Sequence, residues 1–235
     1  MLTVGMILIF LLICSTNASA SSILAEKKNI FNDVPKSSPF YEAIYWAVDH
    51  GITVGTSPTT FSPNTTCKRK HIIVFLWRSC GKATNSSWTY PYTADQSLSA
   101  TSDFGKAATW AFWRSPRIEQ GIFRSGDPNQ LVFEPERYCT RGEAVIYLWR
   151  LAGCPVTNVI KASQFKDVKV NDKSTDSYLR ELPSAVAWAV ENGITNGTSD
   201  NTFSPEKTCT RGQIVTFLYR FSQTTDGSSL MSSGI

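Results

Sequence analysis

The sequence is poor in the residues that build most metal and proton-transfer sites. Among 235 residues there are only two histidines and three methionines, and the formal net charge is +4. Two histidines leave little room for a metal site with several imidazole ligands. The small excess of 23 basic over 19 acidic side chains does not suggest a nucleic-acid binder. A hydrophobic content of 42% excludes an intrinsically disordered chain and is enough to bury a core.

Residues 1–20 carry no charged side chain and end in small residues. An apolar run from Met6 to Ile13 is followed by Ala18-Ser19-Ala20. This order predicts a signal peptide over residues 1–20, cleaved after Ala20, and therefore a secreted chain. The missing basic residue near Met1 departs from that pattern, so a short buried N-terminal helix stays open as the alternative. No apolar run in the sequence is long enough to cross a bilayer.

The chain repeats itself at a shift of 142 residues. Residues 46–78 then align with residues 188–220 without a gap, and 20 of the 33 positions are identical. The shared residues are chemically diverse, so low-complexity composition does not explain the match. Such self-similarity is typical of repeat architectures, in which each copy buries its apolar face against its neighbours.

A third, more diverged copy lies between these two. It contains Phe133-Glu134-Pro135 and Cys139-Thr140-Arg141, and the spacing from Phe to Cys is six residues in all three copies. This middle copy has extra residues around 114–117, before Gly121. The copies divide the chain into residues 29–82, 83–154 and 155–221. The polar, Gly/Ser-rich residues 222–235 predict a disordered tail.

Each copy predicts a helix, a loop and a second helix. In copy one, Ser38 is the expected N-cap of the first helix, Pro39 its first residue and Gly51 the glycine that ends it. The second helix opens with a capping box in two copies, formed by Thr140 with Glu143 and by Thr210 with Gln213. Amphipathic helices of about 12 residues are marginal alone, so the sequence predicts an all-α body in which the copies pack on one another.

These features resemble those of the S-layer homology family. The F-x-D-V opening of that family is matched by Phe31-Asn32-Asp33-Val34 and by Phe165-Lys166-Asp167-Val168. Its T-R-A-E helix start is matched by Thr140-Arg141-Gly142-Glu143 and by Thr210-Arg211-Gly212-Gln213, with glycine in place of alanine. Copy one departs from this start at Lys68-Arg69-Lys70-His71, and copy two lacks the opening.

The resemblance implies both a fold and a function. The fold is a pseudo-threefold body of three tandem repeats, with a central three-helix bundle and three projecting helical prongs. The function is non-covalent binding to secondary cell-wall polysaccharide, which often bears pyruvate ketals, at the bacterial cell surface and without a cofactor. No enzyme is predicted, because no nucleophile–base pair, P-loop or paired-carboxylate signature is present. Asp33 and Asp167 are expected to cap or orient the first helix.

An arginine lies in the first turn of each second helix: Arg69, Arg141 and Arg211. The helix dipole disfavours a cation there by about 0.3–1 kcal/mol, so the repeated choice indicates a compensating use. An arginine beside free helix N–H groups suits a carboxylate, and we predict that all three bind the anionic polymer. The alternative is an ion pair with an acidic residue of a neighbouring copy. A second set lies in the last turn, where a cation is favourable and needs no further role: Arg78, Arg150 and Arg220.

The loops between the helices are the second candidate contact. A glycine stands at the matching position of each loop: Gly55, Gly126 and Gly197. We expect a positive φ at these positions and close approach by a sugar. Hydroxyl groups that follow two of the glycines are candidates for hydrogen bonds to the sugar: Thr56, Ser57, Thr198 and Ser199.

Five cysteines remain after the predicted cleavage. Cys67 and Cys80 flank one helix, as do Cys139 and Cys154, and a helix of that length separates each pair by about 18–22 Å, which forbids a disulfide within the unit. Bridges between copies, free thiols, or one intermolecular disulfide that links oligomers stay open. A zinc site built from Cys67, Cys139 and Cys209 would lack the short paired spacing of zinc motifs, so no metal site is predicted.

The tryptophans divide by position. Trp46 and Trp188 lie among apolar helical residues and predict core positions. Trp77 and Trp149 lie eight residues after the first-turn arginine, about 12 Å along the helix, so neither shares a ligand easily with its own arginine. Three others lie in diverged stretches and carry no prediction: Trp88, Trp110 and Trp113.

Two further functions compete with wall binding. One is a surface structural or adhesion protein linked to its partners by cysteines. The other is the wall-anchoring piece of an enzyme whose catalytic part is lost or lies on a separate gene.

Overall fold

The computed structural model describes residues 30–89, 99–113, 122, 133–171 and 173–232. The predicted signal peptide, the extra residues around 114–117 and Gly126 lie outside these ranges. Within them the regular secondary structure is helical, joined by isolated β-bridges only, which confirms the all-α prediction. No helix of the described residues is both long enough and apolar enough to cross a membrane.

Seven α-helices and one 3₁₀ helix occupy the described residues. In chain order the α-helices are α1 (Tyr41–Asp49), α2 (Arg69–Ser79), α3 (Asp103–Trp113), α4 (Arg141–Leu151), α5 (Ser177–Glu191), α6 (Arg211–Ser222) and α7 (Thr225–Ser232). The 3₁₀ helix spans Val159–Gln164, ahead of α5.

The second helix of each copy packs on the first helix of the next copy. Helix α2 contacts α3, α4 contacts α5, and α6 returns to contact α1. The contacts therefore close on themselves, and the last copy supports the first. This arrangement confirms that the copies pack on one another, as short amphipathic helices require. The three-helix bundle with three prongs stays a prediction about the overall shape.

A ring of backbone hydrogen bonds joins the three copies at their cysteines. The N–H of Cys139 donates to the carbonyl of Cys67, that of Cys209 to Cys139, and that of Cys67 to Cys209, each at 2.9 Å. The three side chains are fully buried. Each second helix begins two residues after its cysteine. The ring therefore sets the starting points of α2, α4 and α6 relative to one another.

The helix ends follow local sequence signals in most places. Gly51 and Gly193 end α1 and α5 with φ of +65° and +67°, as C′ glycines do. The prediction for the start of α1 is wrong by two residues, because Phe40 takes the N-cap position and Ser38 only accepts a hydrogen bond from its N–H. The prediction of a disordered tail is also wrong, because residues 225–232 form α7 and pack on α6.

The two helix-start glycines have a packing reason. A Cβ on Gly212 would lie 2.8 Å from the ring of Phe40, and a Cβ on Gly142 would lie 2.2 Å from the hydroxyl of Tyr178. Phe40 precedes α1 and Tyr178 lies in α5, so each glycine makes room for the following copy. An alanine at either position would force the contacting ring or hydroxyl to shift.

Candidate functional site

Each first-turn arginine enters an aromatic slot of the next copy. The guanidinium carbon of Arg211 lies 4.6 Å from the ring centroid of Phe61 and 5.8 Å from that of Phe75. Arg141 stands 5.0 Å from Phe203 and 5.4 Å from Phe217. Cations are attracted to the faces of such rings. Burial is deep, since only 3% of Arg141 is exposed.

Arg69 occupies the corresponding slot in copy two. Its guanidinium carbon lies 5.9 Å from the ring centroid of Phe133. A tyrosine replaces the second phenylalanine of the slot, and Arg69 Nε donates to the Tyr147 hydroxyl at 3.1 Å. The slot is therefore present in all three copies, with one polar variation.

Main-chain carbonyls also accept the guanidinium hydrogens. They belong to the Phe-x-Pro corner of each copy, which is formed by residues 61–63, 133–135 and 203–205. Arg69 Nη1 donates to Phe133 O at 2.8 Å, Arg141 Nε to Phe203 O at 3.1 Å, and Arg211 Nε to Phe61 O at 3.0 Å. Each arginine thus fastens one copy to the next. This contact supplies the compensation that the unfavourable helix dipole requires.

The three arginines differ in what neutralises them. Arg69 Nη1 lies 3.0 Å from Glu134, and Arg69 Nη2 lies 3.4 Å from Glu143. The alternative of an ion pair with a neighbouring copy is therefore correct for Arg69. Arg141 and Arg211 have no carboxylate within ion-pair distance among the described residues. Burial lowers the pKa of both, which reflects the cost of their charge in this position.

The N–H groups at the start of each second helix, expected to be free, donate hydrogen bonds within the protein. The first N–H of each second helix donates to the next copy: Arg69 to Arg137 O, Arg141 to Lys207 O and Arg211 to Thr65 O, at 2.8–2.9 Å. The second N–H does the same, with Gly142 donating to Pro205 O at 2.9 Å. The prediction of an anion site on free helix N–H groups is therefore wrong.

The third N–H is satisfied by the predicted capping boxes. Thr140 and Glu143 exchange side-chain and backbone bonds at 3.2 and 2.9 Å, and Thr210 with Gln213 repeats the pattern. In copy one, His71 Nδ1 accepts from the Lys68 N–H at 3.2 Å. Because a lysine side chain has no acceptor, copy one keeps half of the box.

A strained corner presents the carbonyl that receives each arginine. The middle residue of every Phe-x-Pro corner is left-handed, with φ of 61° at Ser62, 50° at Glu134 and 58° at Ser204. Such a φ is unfavourable for residues other than glycine. Support from outside the corner is therefore required to hold it.

Two aspartates supply that support. Asp167 accepts hydrogen bonds from the N–H groups of Phe203 at 2.9 Å and Ser204 at 2.7 Å. Asp33 accepts the matching pair in copy one at the same distances. The prediction for these aspartates is that they cap or orient the first helix. The capping part is wrong, because the N-caps of α1 and α5 are Phe40 and Asp176 and the two aspartates hold the corner that follows the loop.

The loop glycines lie against aromatic rings of their own copy. A Cβ on Gly55 or Gly197 would lie 2.6 Å from the ring of Phe31 or Phe165. The positive φ is confirmed at Gly197, at +88°, and is wrong for Gly55, which is not left-handed. At Gly55 and Gly197 the protein's own ring thus occupies the Cβ side of the glycine, and close approach by a sugar stays a prediction.

The loop hydroxyls form matched exposed clusters in copies one and three. Thr56 Oγ1 lies 2.7 Å from Ser62 Oγ, and Ser57 Oγ lies 2.6 Å from Thr60 Oγ1. In copy three, Thr198 and Ser199 make the same contacts with Ser204 and Thr202 at the same distances. The hydroxyls bond to one another and still face solvent.

The structure pairs Arg141 and Arg211 each with a loop of another copy. Arg211 of copy three donates from Nη2 to Val54 O at 2.9 Å, directly beside Gly55 and Thr56 of copy one. Arg141 of copy two meets the Phe203–Ser204 corner of copy three, to which Thr198 is bonded. We call these the Arg211 groove and the Arg141 groove. Arg69 faces copy two, whose Gly126 lies outside the described residues.

The last-turn arginines do more than favour the helix dipole. Each donates to a carbonyl of its own copy that follows the first helix in the chain: Arg78 to Ile52, Arg150 to Ile122 and Arg220 to Ile194, at 3.5, 2.8 and 3.1 Å. Arg78 also pairs with Asp103 at 3.0 Å and Arg150 with Glu181 at 2.8 Å, both on the following copy. The expectation that they need no further role is wrong.

The three ring cysteines do not form the disulfides that the odd total of five cysteines left open. Cys67, Cys139 and Cys209 are free thiols with no exposed surface, so neither a bridge between copies nor a link to another chain forms through them. Burial raises the pKa of Cys67 to about 12. Among the described residues, no group of three or more His, Cys, Asp or Glu side chains is placed to hold a metal ion.

The aromatic slot escaped sequence reasoning although a signal for it exists. An aromatic residue stands six positions after each first-turn arginine: Phe75, Tyr147 and Phe217. Its regular recurrence marks a repeated role, but its partner is the arginine of the preceding copy in the ring. That relation depends on the order in which the copies pack.

Comparison with known proteins agrees with these repeated features. A family model described as S-layer homology domain matches residues 30–72 and 180–215. The cellulosome-anchoring protein of Acetivibrio thermocellus is 33% identical over 105 residues, which are 44% of this chain and 22% of that protein. The chain thus spans about a fifth of the length of this curated relative. The two matched segments contain Asp33, the loop and corner of copies one and three, and Arg211, and both are similar to S-layer homology domains.

Proposed function

We propose that the chain is a non-catalytic binding module that attaches non-covalently to an acidic secondary cell-wall polysaccharide at the bacterial surface. The S-layer homology segments support a wall-binding role, and the relative's name supports anchoring. The pairing of an arginine from one copy with the hydroxyl loop of another carries the proposal. It places cationic and hydroxyl groups from two copies along one groove.

The Arg141 and Arg211 grooves are the proposed binding sites. Arg141 Nη2 is buried and has no hydrogen-bond partner among the described residues. A buried donor without a partner costs about 1–3 kcal/mol, which a ligand oxygen would recover once the corner that covers this nitrogen moves aside. Arg211 is more open and lies next to exposed Thr56 and Ser57. In both grooves the planar guanidinium suits a carboxylate such as that of a pyruvate ketal.

The contact between Arg69 and the corner of copy two is proposed to bind the polymer weakly or not at all. Glu134 and Glu143 already pair with its arginine, and Arg137 shares both carboxylates. A second anion would meet these negative charges. Copy two also lacks an aspartate at its corner, because it has no F-x-D-V opening. This contact therefore combines the sequence departures of two copies: the altered helix start of copy one, at Lys68-Arg69-Lys70-His71, and the missing opening of copy two.

The test is a calorimetric titration of the full chain with purified wall polysaccharide, before and after mild acid removal of pyruvate ketals. Arg141→Lys and Arg211→Lys keep the charge but lose the planar fork, so each is expected to weaken binding about tenfold. Arg69→Lys is the matched control at the same helix position, with affinity unchanged. The loop variant Thr56→Val with Ser57→Ala tests the hydroxyls.

Urea unfolding of every variant separates lost binding from lost folding. If folded parent protein binds neither form of the polymer nor intact wall sacculi, the anchoring function is wrong. Equal binding of the polymer with and without ketals would contradict the proposal that the arginines bind the ketal carboxylate. Unchanged affinity in Arg141→Lys and Arg211→Lys would contradict the assigned grooves while leaving wall binding intact.

A further inference from the structure

A separate cavity lies between the end of α2 and helix α3, and none of its lining residues belongs to either proposed groove. Its volume is about 440 Å³, within the range of roughly 300–1,000 Å³ that small-molecule sites occupy. Six side chains carry the polar and aromatic character of its lining: Trp77, Thr84, Asn85, Trp88, Lys106 and Thr109. Trp77 lies two turns beyond Arg69 on α2, too far from that arginine to share one sugar with it.

Two indole N–H groups hold residues 83–89, the segment that forms one wall of the cavity, by hydrogen bonds to its two ends. Trp77 Nε1 donates to Ala83 O at 3.0 Å, and Trp113 Nε1 donates to Thr89 O at 2.9 Å. Between these two points the Trp88 N–H closes a turn onto Asn85 O at 3.0 Å. Trp88, half-buried, is therefore held by a wall that is fixed at both ends.

The tryptophan in this wall is not required by the turn that carries it. Copy three has the same turn, in which the Lys161 N–H bonds to Asn158 O at 3.0 Å. In both turns the asparagine side chain also accepts from the N–H two residues on. Trp149 Nε1 likewise anchors the copy-three segment at Pro155 O, at 3.0 Å. Lysine thus stands in copy three where copy two has Trp88.

The lining of the cavity combines three chemical groups. Trp88 offers an aromatic face, and Lys106 offers an exposed ammonium on α3. Thr84 offers a hydroxyl, Asn85 offers its amide nitrogen because its oxygen already accepts from Ser87, and Thr109 offers its hydroxyl oxygen as an acceptor because its hydrogen is donated to Gly105 O. An aromatic face packs against the C–H face of a pyranose, while hydroxyl and amide groups bind its ring hydroxyls. An ammonium adds attraction for a carboxylate.

We propose that this cavity binds one pyranose unit of an acidic oligosaccharide, with the sugar ring against Trp88 and its carboxylate at Lys106. The site rests on the proposed function in one respect, since the acidic wall polymer is the natural source of such a unit. It lies on the diverged copy-two segment and does not depend on Arg141 or Arg211. The chain then contacts its polymer at a point outside the repeated grooves.

The test follows the Trp88 resonance by fluorine NMR in full-length protein labelled with 5-fluorotryptophan. The Trp88 signal is the one missing from Trp88→Lys, which keeps a residue that the matching turn of copy three carries. Because Trp88 also packs against the core, urea unfolding checks that this variant is folded. Titration with sodium glucuronate is expected to shift the Trp88 signal in a saturable manner. The signal of Trp188, which is 2% exposed, is expected to stay in place.

Lys106→Ala tests the carboxylate contact. It is expected to weaken glucuronate binding about fivefold, while the response to neutral methyl glucoside is unchanged. Arg211→Lys is expected to keep the full Trp88 response, which separates this site from the groove. A stationary Trp88 signal, an equal shift at Trp188, or undiminished glucuronate binding in Lys106→Ala would overturn the proposal, even if the parent protein binds wall polymer.

Discussion

The guanidinium carbon of Arg211 lies 4.6 Å from the ring centroid of Phe61, a residue 150 positions earlier in the chain. The same arginine donates to the carbonyl of Phe61 and to that of Val54. One side chain of copy three thereby forms hydrogen bonds to both ends of the copy-one loop, at Val54 and Phe61. This contact joins the last copy to the first and also places a cation in a groove.

Removal of this arginine is expected to destabilise the fold. Arg211→Ala loses two hydrogen bonds to carbonyls and two ring contacts, so we expect a loss of about 2 kcal/mol in the free energy of unfolding, measured in urea. Arg220→Ala on the same helix is the control, because Arg220 is exposed and donates one hydrogen bond. Equal losses in the two variants would contradict the fastening role.

Asp167 is expected to stabilise the strained corner of copy three. Asp167→Ala leaves the N–H groups of Phe203 and Ser204 without their acceptor, which costs about 1–3 kcal/mol. Asp167→Asn keeps one acceptor oxygen and is expected to lose less. Thermal unfolding monitored by circular dichroism ranks the parent, Asp167→Asn and Asp167→Ala. If Asp167→Ala were as stable as the parent, the corner would not depend on the aspartate.

The half capping box of copy one is expected to weaken in acid. Burial lowers the pKa of His71, and the charges of Lys70, Arg211 and Lys68 lower it further against the opposing effect of Glu136. The unfolded chain therefore binds a proton more readily than the folded chain. The stability contributed by neutral His71 is present above about pH 6.5 and is lost as the pH falls below it.

His71→Gln provides the control for this pH dependence. An amide oxygen accepts the Lys68 N–H without titrating, as Gln213 does for Thr210 in copy three. Urea midpoints measured from pH 7.5 to pH 5 are expected to fall more steeply in the parent than in the variant. Parallel profiles would assign the acid sensitivity to other groups.

The contact between Gly212 and Phe40 is expected to appear as non-additive mutational effects. Gly212→Ala places a Cβ against the Phe40 ring, so a loss of about 1 kcal/mol is expected after the gain in helix propensity is included. In a Phe40→Ala background the same change is expected to be neutral or stabilising. Additive losses in this double-mutant cycle would mean that the ring moves aside without cost.

The ring cysteines are expected to be inert in the native state. Burial raises the pKa of Cys209 to about 12 and that of Cys139 well above its usual value, so little thiolate forms at pH 8. Peptide mapping after iodoacetamide treatment should find Cys67, Cys139 and Cys209 unmodified in buffer and modified in urea. Native labelling at Cys139 would contradict a closed ring.

Local features of the fold could be predicted from the sequence because their causes are local. The capping boxes depend on side chains three residues apart, and the C′ glycines depend on a single φ. The buried face of α6 follows from helical spacing, because the apolar residues that share one face of the helix are buried: Ile214, Val215, Phe217, Leu218 and Phe221. The helical class and the repeat family were correct for the same reason.

The candidate site was only half predictable. First-turn arginines were recognised as unusual because helix electrostatics disfavours them at that end. Their partners were missed, since Phe61 and Arg211 meet only when copy three closes onto copy one. The helix N–H groups assumed to be free for an anion are bonded to carbonyls of the next copy. No pattern within one copy carries that information.

The residues of a single copy therefore specify helices, caps and a strained loop, because each depends on neighbours within a few positions. The order of packing specifies the grooves, because every groove takes its arginine from one copy and its loop from another. It also decides that Glu134 and Glu143 neutralise Arg69 while Arg141 keeps a buried nitrogen without a partner among the described residues. Burial and distance set these charge relationships, and both arise only when the ring of three copies closes.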